Sequence, residues 1–188
     1  MNTKSRKRVS KSDWLAKALE VLANEGLAGV RVERLARDLK VAKSGFYWHF
    51  RDRKDLLKQM LEYWAYEYTT VVQHNKKLQC MNPRARLKTI MHMIQDFNLA
   101  KYDLAICAWG ENDPLAKQAM EDVVKARLRV IKNAFEELGF KGDELEMRTR
   151  LFVCYHSWEA TMFRKDSQRK RNRLLNLRHK FLTGLCPL

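Results

Sequence analysis

Residues 30–57 read VRVERLARDLKVAKSGFYWHFRDRKDLL, and the reading of this stretch decides the fold. Val32, Leu35, Ala36 and Leu39 recur at i, i+3, i+4 and i+7, the spacing of one buried helix face. Lys40 and Val41 break that pattern, and a further short segment runs from Ala42 to about His49. Within it Phe46 and Phe50 stand four apart, so they share a face and can pack against Leu35, Leu39 and Val41. Lys43, Ser44, Tyr47 and Trp48 are left to point outward. Asp52 is placed to cap the next helix, which Arg53 opens. Two short helices across a tight turn, the second with a polar and aromatic outward side, are what a helix-turn-helix uses to reach base edges.

Upstream, Ser10 and Asp13 stand in a capping-box relation. Leu15, Ala18, Leu19 and Leu22 make one apolar stripe, and Gly26 ends that helix as a left-handed cap. Three short helices thus form a head over residues 1–56, with a basic arm holding Lys4, Arg6, Lys7 and Arg8. Downstream, Leu57, Met60, Leu61, Trp64, Tyr68, Val71 and Val72 keep one face of a long connecting helix apolar. The body over 57–188 has two Asx-Pro helix starts, Asn82-Pro83 and Asp113-Pro114. The first helix carries Leu87, Ile90, Met91, Ile94 and Phe97; the second, begun at Asp113-Pro114, extends through Met120 and Phe135 to Gly139. A shorter helix lies around Asp103 to Trp109, another opens at Gly142-Asp143, and a last one presents Leu174, Leu177, Arg178 and Phe181. With only 7 Gly and 3 Pro to supply turns, a multi-stranded sheet is excluded. The expectation is an all-α chain of about nine helices: a helix-turn-helix head joined by a long helix to a helical ligand-binding and dimerisation domain.

The net charge of +15 is unevenly placed. Residues 1–60 hold 15 Lys/Arg against 7 Asp/Glu, residues 61–163 hold 14 against 14, and residues 164–188 hold 8 against 1. Two basic ends on a neutral body fit a localised polyanion footprint, and charge alone fits DNA, RNA or an anionic membrane surface. Cys80, Cys107, Cys154 and Cys186 are scattered with no C-x-x-C pair, so neither zinc nor a disulfide framework is indicated and a reducing cytoplasm is the expected home. His92 has no second ligand on its face. No apolar run approaches the roughly 20 residues of a membrane span, so no membrane partner is expected. G-x-G-x-x-G, Walker, H-E-x-x-H and nucleophile-elbow motifs are all missing, so neither an enzyme nor a cofactor is expected.

Leu35-Ala36, Val41, Tyr47-Trp48-His49-Phe50, Asp52 and Arg53 match, in order and spacing, the DNA-binding head of the tetracycline-repressor (TetR) family, which residues 10–60 resemble. Trp109 with Asp113-Pro114, and later Leu138-Gly139-Phe140, are similar to a pattern of that family's bodies. The sequence departs from the family at Lys40, where Gly is usual before the turn Val, at Ala42, where Ser or Thr starts the third helix, and at Arg31, where an alcohol starts the second. Ala42 cannot cap, so the third helix is expected to start a residue later or fray, and Gly45 weakens it further.

The resemblance implies double-stranded DNA with a palindromic operator as partner, a homodimer, and a small apolar or aromatic effector. Arg31, Lys43, Ser44, Gly45, Tyr47, Trp48, His49 and Arg53 are the candidate DNA contacts. Lys43 suits guanine N7/O6, Tyr47 and His49 suit phosphate oxygens, and Arg53 suits a phosphate clamp. Trp64, Tyr68, Met91, Phe97, Trp109, Phe152, Tyr155, His156 and Glu159 lie on inward stripes, where they line a pocket or are plain core. His156 and Glu159, three apart, orient a ligand or bond each other. Trp158, Met162, Leu174, Leu177 and Phe181 are the expected dimer contacts. The basic run from Arg164 to Arg173 is a solvated face or a second contact with an acidic partner. The expected function is a repressor released by its effector, against an effector-independent architectural or protein-recruiting factor.

Overall fold

The computed structural model describes residues 9–163 and 165–184; the basic arm through Arg8, Arg164 and Cys186 lie outside them. Among the described residues there are helices and no strands. Ser10 opens α1 (Lys11–Glu25) with a complete capping box: its hydroxyl accepts from the Asp13 amide at 3.2 Å, and Asp13 accepts from the Ser10 amide at 2.8 Å. Gly26 closes it at φ 73° and ψ −177°, an extended glycine conformation rather than the left-handed helical one expected, and a 3-10 turn follows over Leu27–Gly29.

α2 (Val32–Asp38) ends in a Schellman motif: Val41 N–H bonds Ala36 O at 3.0 Å and Lys40 N–H bonds Arg37 O at 3.1 Å. The residue this motif forces into the left-handed region is Lys40, at φ 57°. That is the physical reason a glycine is usual there, and the chain keeps the turn at the cost of a strained lysine. α3 shrinks to Ser44–Tyr47, beginning after Ala42 and with no side-chain cap. Asp52 caps α4 (Arg53–Ala65) by accepting from the Asp55 amide at 2.8 Å.

The connecting helix is not continuous. After Ala65 it widens into a π turn, Tyr66–Thr70, in which the Val71 amide reaches Tyr66 O, before resuming as α5 (Val71–Gln73). The apolar stripe read through Trp64, Tyr68 and Val71 loses its phase there, and Val71 is exposed. A short α6 (Lys76–Gln79), capped by Asn75, was not expected. Both Asx-Pro starts hold: Asn82 caps α7 (Pro83–Asp96) and Asp113 caps α9 (Pro114–Glu137). α8 (Asp103–Gly110) approaches α9 closely because Gly110 has no side chain; a Cβ there would stand 3.1 Å from Lys117 Cα. A second Schellman motif, with Gly139 at φ 93° and Phe140 folded onto Phe135, turns the chain into α10 (Gly142–Met162). α11 (Gln168–Thr183) completes the fold. Among the described residues, taking α4 and α5 as one interrupted helix and setting α6 aside leaves nine helices.

Two cores form. The first joins α1–α4 to α8 and the start of α9, with Trp14, Phe46, Met60, Trp64, Ile106 and Trp109 buried together. The second gathers α7, the far half of α9, α10 and α11 around Ile90, Phe135, Phe152 and Leu175. Residue 57 falls inside the first core, which α4 shares with the three head helices. At 24 residues, or about 36 Å of helix, α9 runs through both. Arg127 sits on α9 between Val123 of one core and Ile131 of the other. Its guanidinium pairs with the buried carboxylate of Asp103 through both nitrogens and donates to Thr69 Oγ1 of the π turn at 3.2 Å and to Ser157 Oγ of α10 at 3.4 Å. One cation therefore ties four elements at the seam.

Candidate nucleic-acid interface and effector site

The outward face of the head is built on two buried rings. Phe46 and Phe50 lie 5.0 Å apart, and Trp14 of α1 meets Phe46 edge-on at 5.6 Å. With those rings inside, Tyr47 is 58% and Trp48 79% exposed, Lys43 and Ser44 stand in solvent, and Gly45 and His49 are half-buried.

Three of the basic candidates are engaged within the head. Lys43 Nζ pairs with Glu33 of α2, which holds the Glu33 carboxyl below its usual range and raises the lysine, chiefly through their hydrogen bond. Arg31 Nε donates to Ala28 O at 2.9 Å. Arg53, read as a phosphate clamp, donates instead to Val30 O at 2.7 Å and Leu27 O at 2.9 Å, stapling the α1–α2 connection to the start of α4. The reading missed these acceptors because they are backbone carbonyls, which no side-chain pattern announces.

The pocket candidates separate into several environments. Tyr68, Phe152 and His156 line a small cavity of about 50 Å³ at the seam, beside Arg127. Tyr68 packs edge-on against Tyr102 at 5.1 Å, and burial pushes its hydroxyl up to about 12. Trp109 and Glu159 border a second, larger cleft of about 830 Å³ between the end of α1 and the body. The Trp109 ring itself belongs to the first core, its Nε1 donating to Asp113 Oδ2 at 2.9 Å. Trp64 and Met91 are buried in the two cores and line neither space. Phe97, at the end of α7, is 68% exposed and points away from any pocket role, since the helix stops there and the stripe with it.

His156 and Glu159 do not bond each other. His156 Nδ1 lies 2.6 Å from Phe152 O, one turn back. Glu159 accepts from Arg178 of α11 at 2.9 Å, and that guanidinium lies over the Tyr155 ring at 4.3 Å, so Tyr155 faces α11 rather than the cavity. Arg148 binds the other end of α11 through Leu182 O at 2.7 Å and Phe181 O at 3.0 Å. The two helices are thereby clamped side by side. Trp158, Met162, Leu177 and Phe181 all stay exposed on them, Phe181 at 75%, while Leu174 is half-buried and Leu175 takes the inward position. Among the described residues no group of three metal-ligating side chains forms, and no helix is long and apolar enough to cross a membrane.

A helix-turn-helix head with an aromatic tip thus shares one core with a helical body that has a second core of its own. Residues 15–60 match the family described as bacterial regulatory proteins, tetR family. The class E tetracycline repressor protein of Escherichia coli is 36% identical over 55 residues, 29% of this chain and 26% of that protein, so the match spans about a quarter of that relative's length. Beyond the head the likeness is one of fold. FadR of Bacillus subtilis, solved in complex with stearoyl-CoA, superposes with a TM-score of 0.69 at 15% identity over 93% of this chain and 98% of that one. AibR, solved in complex with isovaleryl coenzyme A and operator DNA, does so at 0.70 and 14% over 94% and 99%. Residues 15–60 are thus similar to the head of tetR-family regulatory proteins, and the chain as a whole shares its fold with solved transcriptional regulators.

Proposed function

We propose that the protein is a homodimeric, cytoplasmic transcriptional repressor that reads a palindromic operator with its two heads and releases it when a small molecule occupies the body. The observation that carries this reading is the pair Tyr47 and Trp48, held in solvent at the tip of a head whose other large rings are packed inside. Ser44 and Gly45, also at the start of α3, let backbone and hydroxyl approach a groove, while Lys43, His49 and Arg31 meet phosphate oxygens or base edges. The excess of 15 Lys/Arg over 7 Asp/Glu in residues 1–60 supplies salt-dependent affinity.

Support for the dimer comes from the exposed apolar residues that α10 and α11 present together, since a two-fold pair needs one self-complementary patch. Support for an effector comes from FadR and AibR, solved with coenzyme A esters. Adjacent major grooves on one face of DNA repeat at about 34 Å, so a shift of a few ångströms in head separation breaks simultaneous docking. An effector-independent recruiting factor is the second reading, favoured by the small volume of the apolar cavity. Selection of bound fragments from random duplex DNA tests the first. Enrichment of a palindrome with half-sites a helical turn or more apart is expected, and no enrichment at low salt overturns it. A thermal-shift screen of metabolites separates the two readings, because only a sensor is stabilised.

A further inference from the structure

The small cavity and the larger cleft share a wall. Ile94, Ala100 and His156 line both spaces. Along this wall and the cleft the protein leaves two acceptors unused: His156 Nε2 and Gln95 Oε1 are buried and have no hydrogen-bond partner among the described residues. Their polarity is fixed by their other ends. A carbonyl only accepts, so the 2.6 Å contact with Phe152 O makes His156 Nδ1 the donor and leaves a lone pair on Nε2. Burial holds that imidazole at about 3, and it stays a neutral acceptor at physiological pH. Gln95 Nε2 donates to Asn172 Oδ1 at 2.7 Å, so the Gln95 carbonyl is the free end, and it borders the cleft. Buried polar groups are nearly always satisfied, and a buried acceptor that is not lacks a donor.

The two spaces differ in chemistry. Tyr68, Leu99 and Phe152 make the cavity apolar, and at about 50 Å³, room for about four waters, it holds no more than a single ring. The cleft, at about 830 Å³, is of the size that small-molecule sites occupy and carries Asn24, Asn98, Lys101 and Arg171, while its carboxylates, Glu159 and Asp166, are paired with Arg178 and Lys170. Its far side is the end of α1, from Leu22 to Leu27, so an occupant touches the head directly.

Resting on the reading of the body as a sensor, we infer that cavity and cleft are two chambers of one site for an amphipathic ligand. An apolar group enters the cavity through the wall, a hydroxyl or N–H donates to His156 Nε2, and a polar or anionic portion lies in the cleft beside Lys101. A carboxylate or ester oxygen at the wall would set lone pair against lone pair, so the ligand's donor, not its acceptor, is what this wall selects.

The test uses the full chain and a matched pair of probes: anilinonaphthalene sulfonate, with aromatic rings, one N–H and one sulfonate, and its N-methyl analogue, which lacks the donor. Fluorescence titration is expected to give about tenfold or greater preference for the N–H probe, one lost hydrogen bond to a buried acceptor being worth that much. In ¹⁵N-histidine spectra the His156 Nε2 resonance moves on its addition. His156→Phe keeps the ring volume and is expected to bring the two probes within about twofold of each other. Ala100→Val, which narrows the wall, weakens both. Equal affinity of the two probes for the native protein, no binding of either, or an unmoved Nε2 resonance overturns the inference. Duplex binding is measured on the same preparation: its presence alongside equal probe affinities rejects this site alone, and its absence rejects the regulator reading instead.

Discussion

Replacing Asp103 with Asn strips the negative charge from the seam while keeping the side chain's shape. The Asp103 side chain is 3% and the Arg127 side chain 16% exposed, so the guanidinium left behind has little water to turn to. At an effective dielectric near 20, unit charges about 4 Å apart attract by roughly 4 kcal/mol, and breaking buried pairs costs about 3–5 kcal/mol. Against a total stability of about 5–15 kcal/mol this is a large share, and for a chain of this size it lowers the melting temperature by about 10 °C. Urea unfolding of Asp103→Asn beside the native protein reads it. A double replacement, Asp103→Leu with Arg127→Met, removes both charges and is expected to recover most of the loss, because a buried pair exchanged for apolar groups is often neutral. A loss below about 1 kcal/mol, or a double variant no better than the single, refutes the reasoning that the uncompensated cation is what destabilises.

Glu33→Gln frees Lys43, so duplex affinity should rise and the slope of log K against log salt should steepen by about one counterion; unchanged salt dependence would show Lys43 takes no phosphate. Lys40→Gly relieves a φ of 57° and should raise the urea midpoint by about 1 kcal/mol of stability at constant m, and an unchanged midpoint would deny the strain. Burial depresses His156 from 6.5 to about 3, so the unfolded chain takes up a proton that the folded one refuses. Its share of stability is full above pH 6.5 and falls as the pH drops toward 3, by about 1.4 kcal/mol per unit, a slope that His156→Phe should remove; parallel pH profiles would contradict it. Trp158→Asp with Phe181→Asp should yield monomers by light scattering and cut operator affinity by about 100-fold or more through lost bivalency, and a persisting dimer would relocate the interface.

The head was legible because its signals are local. Ser10, Asp52 and the Phe46–Phe50 pair act within one or two helical turns, and the structure places each as its spacing demands. The body was legible in its helices and not in its interior. An inward stripe marks Met91, Trp64 and Phe152 alike, yet only Phe152 meets a cavity, because cavities form where two cores fail to meet and that depends on every helix at once. Helical spacing lets His156 orient a ligand or bond Glu159, and a carbonyl one turn back takes the imidazole's Nδ1 instead of Glu159. A signal for the seam was present and unread. Val123, Arg127 and Ile131 follow one another at four-residue steps, putting a cation on a buried stripe, and Asp103 stands among Tyr102, Leu104 and Ile106. Opposite charges stranded on two apolar faces are a long-range contact written in the sequence. The π turn had no such mark.

That turn makes the connecting rod a device with two clocks. Each surplus residue in a helix advances everything beyond it by about 100°, so the stretch from Tyr66 to Thr70 sets the body's heading relative to the head as well as their spacing. Excising one residue there would shorten the rod by a mere 1.5 Å or so, yet swing Val71 and Val72 about a quarter-turn around the axis. Among homologous chains, single-residue length changes in this segment would therefore re-aim the whole reading apparatus, where the same change in a loop would pass unnoticed.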